Sequence, residues 1–214
     1  TVIKLASDVL NGAPEDAPVN RRILEKLVRN IDILDRLVLE LLDISEMTAG
    51  TLELKQEAVM IESLIWDTAT NMENEIKPQK VELFVMTRDL NDLTVIGDAK
   101  RLQWALGHLI RNAAFYNTQG GWIAIAAGID TIGDTDYVTI RVKDNGVGIS
   151  TKDLPNIFER FYRGDARTQA GKKLDPRGLG QGLFVARAIC DIHSGYLSVK
   201  SEVGKGSEFT MAIP

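Results

Sequence analysis

The chain has one cysteine and two histidines in 214 residues, and no surplus of positive charge. Each shortage removes a class of function. A single thiol, Cys190, excludes a disulfide within the chain, and it lies in an apolar run where a cysteine packs as a small hydrophobe. Thirty acidic residues against twenty-five basic ones leave a net charge of −5, which provides no general electrostatic footprint for nucleic acid. No apolar run approaches the length that spans a bilayer, and no secretory signal precedes the first helical pattern. Internal repeats and low-complexity tracts are also missing. What remains is a chain long enough for one or two domains with a sizeable core.

What the chain does have is two glycine-rich turns set against apolar elements. Tyr137 to Lys143 alternates apolar and polar residues, the pattern of a half-buried strand, so Asp144 falls where a strand ends. Asn145-Gly146-Val147-Gly148-Ile149 follows as a turn whose glycines let the backbone approach a ligand closely. The second run, Gly178-Leu179-Gly180-Gln181-Gly182-Leu183, opens an apolar helix ending at Ile192, and the free amides and dipole of such an end favour phosphate oxygens. Between the two turns, Arg160, Arg163, Arg167, Lys172, Lys173 and Arg177 meet only Asp165 and Asp175, in a polar stretch with Gly164, Gly171 and Pro176. That reads as a mobile basic lid over phosphates. Taken singly, a glycine triplet is a surface turn and a basic stretch is a solvated loop.

A third piece lies upstream. Arg101 to Asn117 has Leu102, Leu106, Leu109, Ile110 and Ala113 on one side of an amphipathic helix. His108 and Asn112 are four residues apart and so share a face. A mid-helix Asn has poor helix propensity, but its carbonyl oxygen suits a hard Mg²⁺, which keeps most of its waters and takes few protein ligands. Alone, such an Asn is as readily a surface or capping residue.

Together these segments resemble the ATP-binding domain of sensor histidine kinases, in the superfamily that also holds gyrase, the heat-shock chaperone ATPase and MutL. The Asn112 helix is similar to the family's N box, Asp144 to Gly148 to its first glycine box, Ile157 to Arg163 to its F box, and Gly178 to Gly182 to its second glycine box. His193-Ser194-Gly195 and Gly204 to Phe209 resemble the usual ending, with Ser207 where Thr is common. The resemblance covers residues 56 to 214. It implies an α+β fold, a two-layer α/β sandwich of the Bergerat type, with helices on one face of a mixed sheet.

Residues 1 to 55 read as a helical hairpin. From Asn20 to Met47, Leu24, Leu27, Ile31, Leu34, Val38 and Leu41 step by three and four, the spacing of a coiled-coil seam. Thr1 to Leu10 offers a partner helix, and Asn11 to Pro18 a reversal between the two. A hairpin buries little surface alone, so a dimeric four-helix bundle is expected. This resembles the family's dimerisation and phosphotransfer domain without its phosphate-accepting His, which would sit just before Thr1. We expect a chain that begins partway along that helix.

The resemblance also implies roles. Asp144 would accept the adenine amino hydrogen, and Asn112 would hold Mg²⁺ against the phosphates. His108, Arg160 and Arg163 would approach the phosphate oxygens, and Tyr116 would line the pocket. Gly146, Gly148, Ile149, Gly178, Leu179, Gly180, Gly182 and Leu183 would supply backbone amides and clearance. Ser207 would assist Asp144 through its hydroxyl, and Phe158 and Phe161 would anchor the lid. The implied reaction is transfer of the ATP γ-phosphoryl to a bundle His and then to the Asp of a response regulator, in a cytoplasmic protein, tethered to a membrane, if at all, by segments outside this chain. Phe115 departs from the pattern, since a basic residue is common there. That keeps open a catalytically silent ATP-binding scaffold. An ATPase or protein-serine kinase is a third reading, disfavoured because His108 stands where hydrolysing relatives place Glu.

The remaining expectations are strands near 52–56, 81–87 and 94–97, a helix near 61–76, and a hairpin of 122–129 with 137–143. A closing strand pair, 196–201 with 208–213, completes the layout. Trp66, Trp104 and Trp122 are read as packing.

Overall fold

A computed structural model describes residues 22, 24, 25, 27, 28, 31, 45, 46, 52–86, 93–168, 170, 171, 174 and 180–214. The chain divides into two compact units, Thr1–Glu53 and Leu54–Pro214. In the first unit the described residues between 22 and 46 are helical, and Leu52 and Glu53 are not. Among them Leu24, Val28 and Ile31 follow helical spacing and are each about half exposed. The inter-helix turn and most of the expected seam, including Leu34, Val38 and Leu41, lie outside the described residues.

In the second unit, strand β1 (Glu57–Met60) leads directly into helix α1 (Ile61–Ile76). Then come β2 (Glu82–Met86), β3 (Thr94–Gly97), α2 (Ala99–Phe115), the long hairpin β4 (Trp122–Ile132) and β5 (Thr135–Asp144), α3 (Gly182–Ile192), β6 (Tyr196–Glu202) and β7 (Gly206–Ile213). The main sheet has the order β2-β4-β5-β7-β6, with β2 parallel to β4 and the other neighbours antiparallel. It is therefore mixed, as expected. The first strand differs. Residues 52–56 form no strand, and β1 starts at Glu57 because its partner is β3, in a separate two-stranded sheet that hydrophobic alternation alone does not reveal.

The core lies between the sheet and the helices. Helix α2 packs against both α1 and α3 and over β4, β5 and β7. Its Leu102, Leu106, Leu109 and Ile110 are fully buried, against a sheet face made by Ile123, Ile125, Ile140, Val142, Phe209 and Met211. Each such side chain contributes roughly 1.5–3 kcal/mol by leaving water. The apolar stripe thus sets the rotation of α2, and His108 and Asn112 are carried to wherever its other edge points. The helix starts at Asp98, whose side chain accepts from Arg101 N at 3.1 Å, a side-chain N-cap. Asp98 N donates to His193 Nε2 (3.0 Å), and the other ring nitrogen, Nδ1, donates to Ile189 O (2.7 Å). Both nitrogens of His193 are therefore used to join the end of α3 to the start of α2.

One packing expectation fails, and one expected lid anchor is found exposed. Trp66 is 48% exposed, because position 66 lies away from the face of α1 that buries Leu64, Ile65, Thr68, Ala69 and Met72. Phe161 is 56% exposed at a left-handed φ of 66°, with the Arg160 guanidinium 4.9 Å from its ring centre, so it does not anchor the lid by burial. Phe158 is half-buried under the Arg187 guanidinium. Among the described residues no helix is long and apolar enough to cross a membrane.

Candidate nucleotide site

Asp144 is the last residue of β5 and shares its parity with Ile140 and Val142, so its side chain faces the helix layer. It is 6% exposed. One carboxylate oxygen, Oδ1, accepts from Gly146 N (2.8 Å) and from Ser207 N (3.3 Å). The other, Oδ2, accepts from no described protein group. The two backbone donors aim the carboxylate and leave one oxygen for a ligand. Burial pushes this carboxyl up to about 6, against which the Gly146 and Ser207 bonds pull it back.

The turn after Asp144 is clamped by its neighbours. Val147 N donates to Tyr116 O (3.0 Å), which ties the glycine turn to the end of α2. Asn145 Oδ1 accepts from Trp122 N (2.7 Å), and Asn117 Nδ2 donates to Trp122 O (3.1 Å). Gly148 has a φ of 69°, and a β-carbon there would collide with Glu202 O, so this position takes a residue without one. Ile149 N donates to Ser201 Oγ (2.8 Å), and the Ser201 and Ser207 hydroxyls are 2.9 Å apart. The Ser207 hydroxyl is thus engaged with Ser201, and it is the Ser207 backbone amide that supports Asp144.

On α2, His108 is buried and Asn112 half-buried one turn further along. Arg111 forms a two-point ion pair with Glu75 of α1 (2.6 and 2.9 Å) and donates to His108 Nδ1 (3.2 Å). A guanidinium has only donors, so Nδ1 is the acceptor and neutral His108 carries its proton on Nε2. His108 is therefore an N–H donor rather than a cation. The Asn112 carboxamide is hydrogen-bonded by no described residue and so retains an oxygen for a hard cation. Among the described residues no cluster of three or more His, Cys, Asp or Glu could hold a metal, so an ion here would take few protein ligands.

The second glycine turn meets the same edge of α2. A β-carbon at Gly182 would lie 3.0 Å from His108 Nδ1, and one at Gly180 would lie 2.6 Å from Tyr162 O and 3.1 Å from Arg163 Cγ. Leu183 is half-buried in the first turn of α3. Tyr162 donates to Asp153 (2.7 Å), and Ser150 donates to the other oxygen of Asp153 (2.8 Å), which fastens the F-box segment to the end of the first glycine turn. These two bonds hold the Asp153 carboxyl below its ordinary value. Arg160 and Arg163 are both exposed. Gly178, Leu179, Lys172, Lys173 and Arg177 lie outside the described residues. The structure therefore brings together Asp144, Gly146, Ser207 and Tyr116 on one side, and His108, Gly182, Gly180 and Arg163 on the other. Glu75, Arg111, Asn117, Asn145 and Ser201 were not among the expected site residues. The polar pair Asn117 and Asn145, flanking the helix end and the glycine turn, was the one visible hint.

Residues 97–214 match the family described as histidine kinase-, DNA gyrase B- and HSP90-like ATPase. The chain belongs to this family. Among relatives, the sensor-like histidine kinase SenX3 of Mycobacterium tuberculosis is 28% identical over 211 residues, covering 98% of this chain and 49% of SenX3. The sensor protein SrrB of Staphylococcus aureus is 35% identical over 183 residues, covering 85% of this chain and 29% of SrrB. The chain thus spans about half or less of these relatives. Full-length ShkA in complex with AMPPNP superposes with a TM-score of 0.73 at 23% identity, over all of this chain and 42% of ShkA. Histidine kinase ThkA in complex with the response regulator protein TrrA gives 0.66 at 20% identity, over all of this chain and 57% of ThkA. These likenesses establish the sandwich fold of this ATPase family.

If the second oxygen of Asp144 accepts from a ligand amino group, binding is expected to depend on pH. When the carboxyl takes its proton, an acceptor facing an amino group becomes a possible donor, and affinity falls. With the carboxyl at about 6, adenosine affinity is expected to be flat above pH 7 and about tenfold weaker at pH 5. Adenosine is the probe because it has no phosphate to titrate. Calorimetry across pH 5–8 that gives a flat profile contradicts this role for Asp144.

Proposed function

We propose that this chain is the catalytic core of a two-component sensor histidine kinase, which binds Mg-ATP and donates its γ-phosphoryl to a His on a helical bundle and thence to an Asp of a response regulator. The observation that carries the reading is Asp144, buried, aimed by two backbone amides, with one oxygen free. Such an oxygen accepts from the amino group of adenine, whereas guanine presents a carbonyl at that place. Family membership and the likeness to ShkA in complex with AMPPNP and to ThkA in complex with a response regulator support the same direction.

The side chains divide the work. Tyr116, Gly146, Gly148 and Ile149 form the wall on the base side, and His108, with its proton on Nε2, serves as a neutral donor toward phosphate oxygens. Arg163 approaches from the F-box segment, and the amides at Gly180, Gly182 and Leu183 serve the phosphates. Arg160, over the Phe161 ring, is the weaker candidate. Asn112 would hold Mg²⁺, which when bound neutralises charge on the phosphate oxygens. In the transfer, the imidazole nitrogen that carries the lone pair forms a bond to the γ-phosphorus as the bond to the ADP oxygen breaks, and the proton on the ring's other nitrogen passes to water. What this chain supplies is alignment and charge stabilisation.

The test is calorimetry with ATP and GTP, with and without Mg²⁺. We expect micromolar to millimolar ATP binding that needs Mg²⁺ and exceeds GTP binding by at least tenfold. Equal affinity for the two nucleotides removes the adenine-site reading. The silent-scaffold alternative has one specific residue behind it, Phe115, which is half-buried at the end of α2 where a basic residue would reach phosphate.

Homodimerisation through the bundle is part of the proposal. Leu24, Val28 and Ile31 form an apolar stripe about half exposed, and a partner helix would cover it. Leaving such side chains in water costs roughly 1.5–3 kcal/mol each. Sedimentation is expected to show a dimer that Leu34→Asp converts to monomer; a wild-type monomer at high concentration contradicts the bundle. The proposed location is the cytoplasm, with any membrane tether supplied by other segments.

A further inference from the structure

The nucleotide site has a residue whose chemistry is not spent on the fold. Gln181 is 4% exposed, and neither its Nε2 nor its Oε1 has a hydrogen-bond partner among the described residues. A leucine or methionine of similar size would fill the same space at no such cost, whereas a buried, unmet carboxamide loses its bonds to water and receives nothing in return. Gln181 is also the N-cap residue of α3 and does not cap it with its side chain. Its backbone carbonyl accepts from Val185 N (2.9 Å), so the helix is closed behind it while the amides of the first turn remain without intrahelical acceptors.

The neighbours place it. Gly180 packs against Tyr162 O and Arg163, at the base of the lid segment, and Gly182 packs against the His108 ring on α2. Gln181 sits between these two contacts, where the F-box segment, the polar edge of α2 and the positive end of α3 converge. We infer that Gln181 is a phosphate-binding residue, whose carboxamide N–H donates to a phosphate oxygen of the bound nucleotide. The inference rests on the nucleotide-site reading above. An amide suits the position because it adds a donor without adding charge beside His108, which is itself held as a neutral donor by Arg111.

The two halves of this inference make opposite predictions for one substitution. Gln181→Leu removes the unmet amide, so the nucleotide-free protein melts at a higher temperature. It also removes the donor, so Mg-ATP binds about tenfold more weakly, while adenosine, which has no phosphate, binds within twofold of wild type. Gln181→Met, unbranched and closer in shape, is expected to behave the same way, and Gln181→Glu to weaken ATP binding further by placing negative charge at the phosphates. Calorimetry with Mg-ATP and adenosine, beside thermal unfolding without nucleotide, reads all of this. Unchanged ATP affinity in both apolar variants overturns the assignment. So does an equal loss for ATP and adenosine, or a lower melting temperature with ATP binding intact, which is the signature of a structural amide. If wild type binds neither adenosine nor ATP, the site reading itself fails and this inference with it; if wild type binds both and the variants match it, this inference alone fails.

Discussion

Replacing Asp144 with Asn should weaken ATP binding by at least a hundredfold while making the empty protein more stable at neutral pH. Asn keeps an oxygen for the Gly146 and Ser207 amides, so the turn survives, but it presents an NH₂ where Oδ2 stood, and donor then faces donor at the adenine amino group. A site built to accept one hydrogen bond rejects the wrong partner strongly because its buried group is left unpaired. The stability change has the opposite sign for an electrostatic reason. Burial holds the Asp144 carboxyl at about 6 instead of 3.8. Between these values the native state keeps a proton that the unfolded chain has released, so stability declines as pH rises through that window, and above it the fold bears up to about 3 kcal/mol of cost. Thermal unfolding should therefore show Asp144→Asn above wild type at pH 7 and level with it near pH 4. A variant that binds ATP normally, or that is destabilised at pH 7 with the turn intact, contradicts the account.

The second large effect concerns transfer. This chain should bind ATP without accumulating phosphohistidine, because neither of its imidazoles is available as an acceptor. His193 uses both nitrogens between Ile189 O and Asp98 N, and His108 is buried with Nδ1 held by Arg111. A nucleophile must bring a lone pair in line with the γ-phosphate; the His193 ring is taken up in joining α3 to α2, and in His108 the lone pair on Nδ1 is taken by Arg111 while Nε2 carries the proton. Joining an upstream helical segment that carries a His to Thr1 should give acid-labile, base-stable label at that His, and a receiver domain should drain it. Asn112→Ala in the extended protein should lower the rate on the order of a hundredfold, since the metal's protein oxygen is lost. Label on the original chain would overturn the assignment of both histidines. ATP binding without label in every extended form would favour the silent scaffold.

Much of the candidate site could be read from local pattern. Asp144 at a strand end, the glycine turns and the amphipathic Asn112 helix are each encoded within a few residues, and a strand's period of two already puts Asp144 on the face of Val142. Arg111 and Glu75 were not legible, since 36 residues separate them and only the packing of α1 against α2 brings them together. The Ser207 hydroxyl was misread for the same reason: its nearest partner, Ser201, is across a strand pair whose register had to be known first. Trp66 was misread because aromatic size argues for burial while the faces of neighbouring elements decide it.

The sequence by itself determined the element order, the two-layer class and the family, because these follow from hydrophobic period and from motifs whose spacing is local. Tertiary structure alone decided which oxygen of Asp144 is free, which nitrogen of His108 holds the proton, and that Gln181 is buried with its amide unmet. Those properties depend on donors and acceptors from distant segments meeting within hydrogen-bond distance, and linear spacing contains no record of that distance.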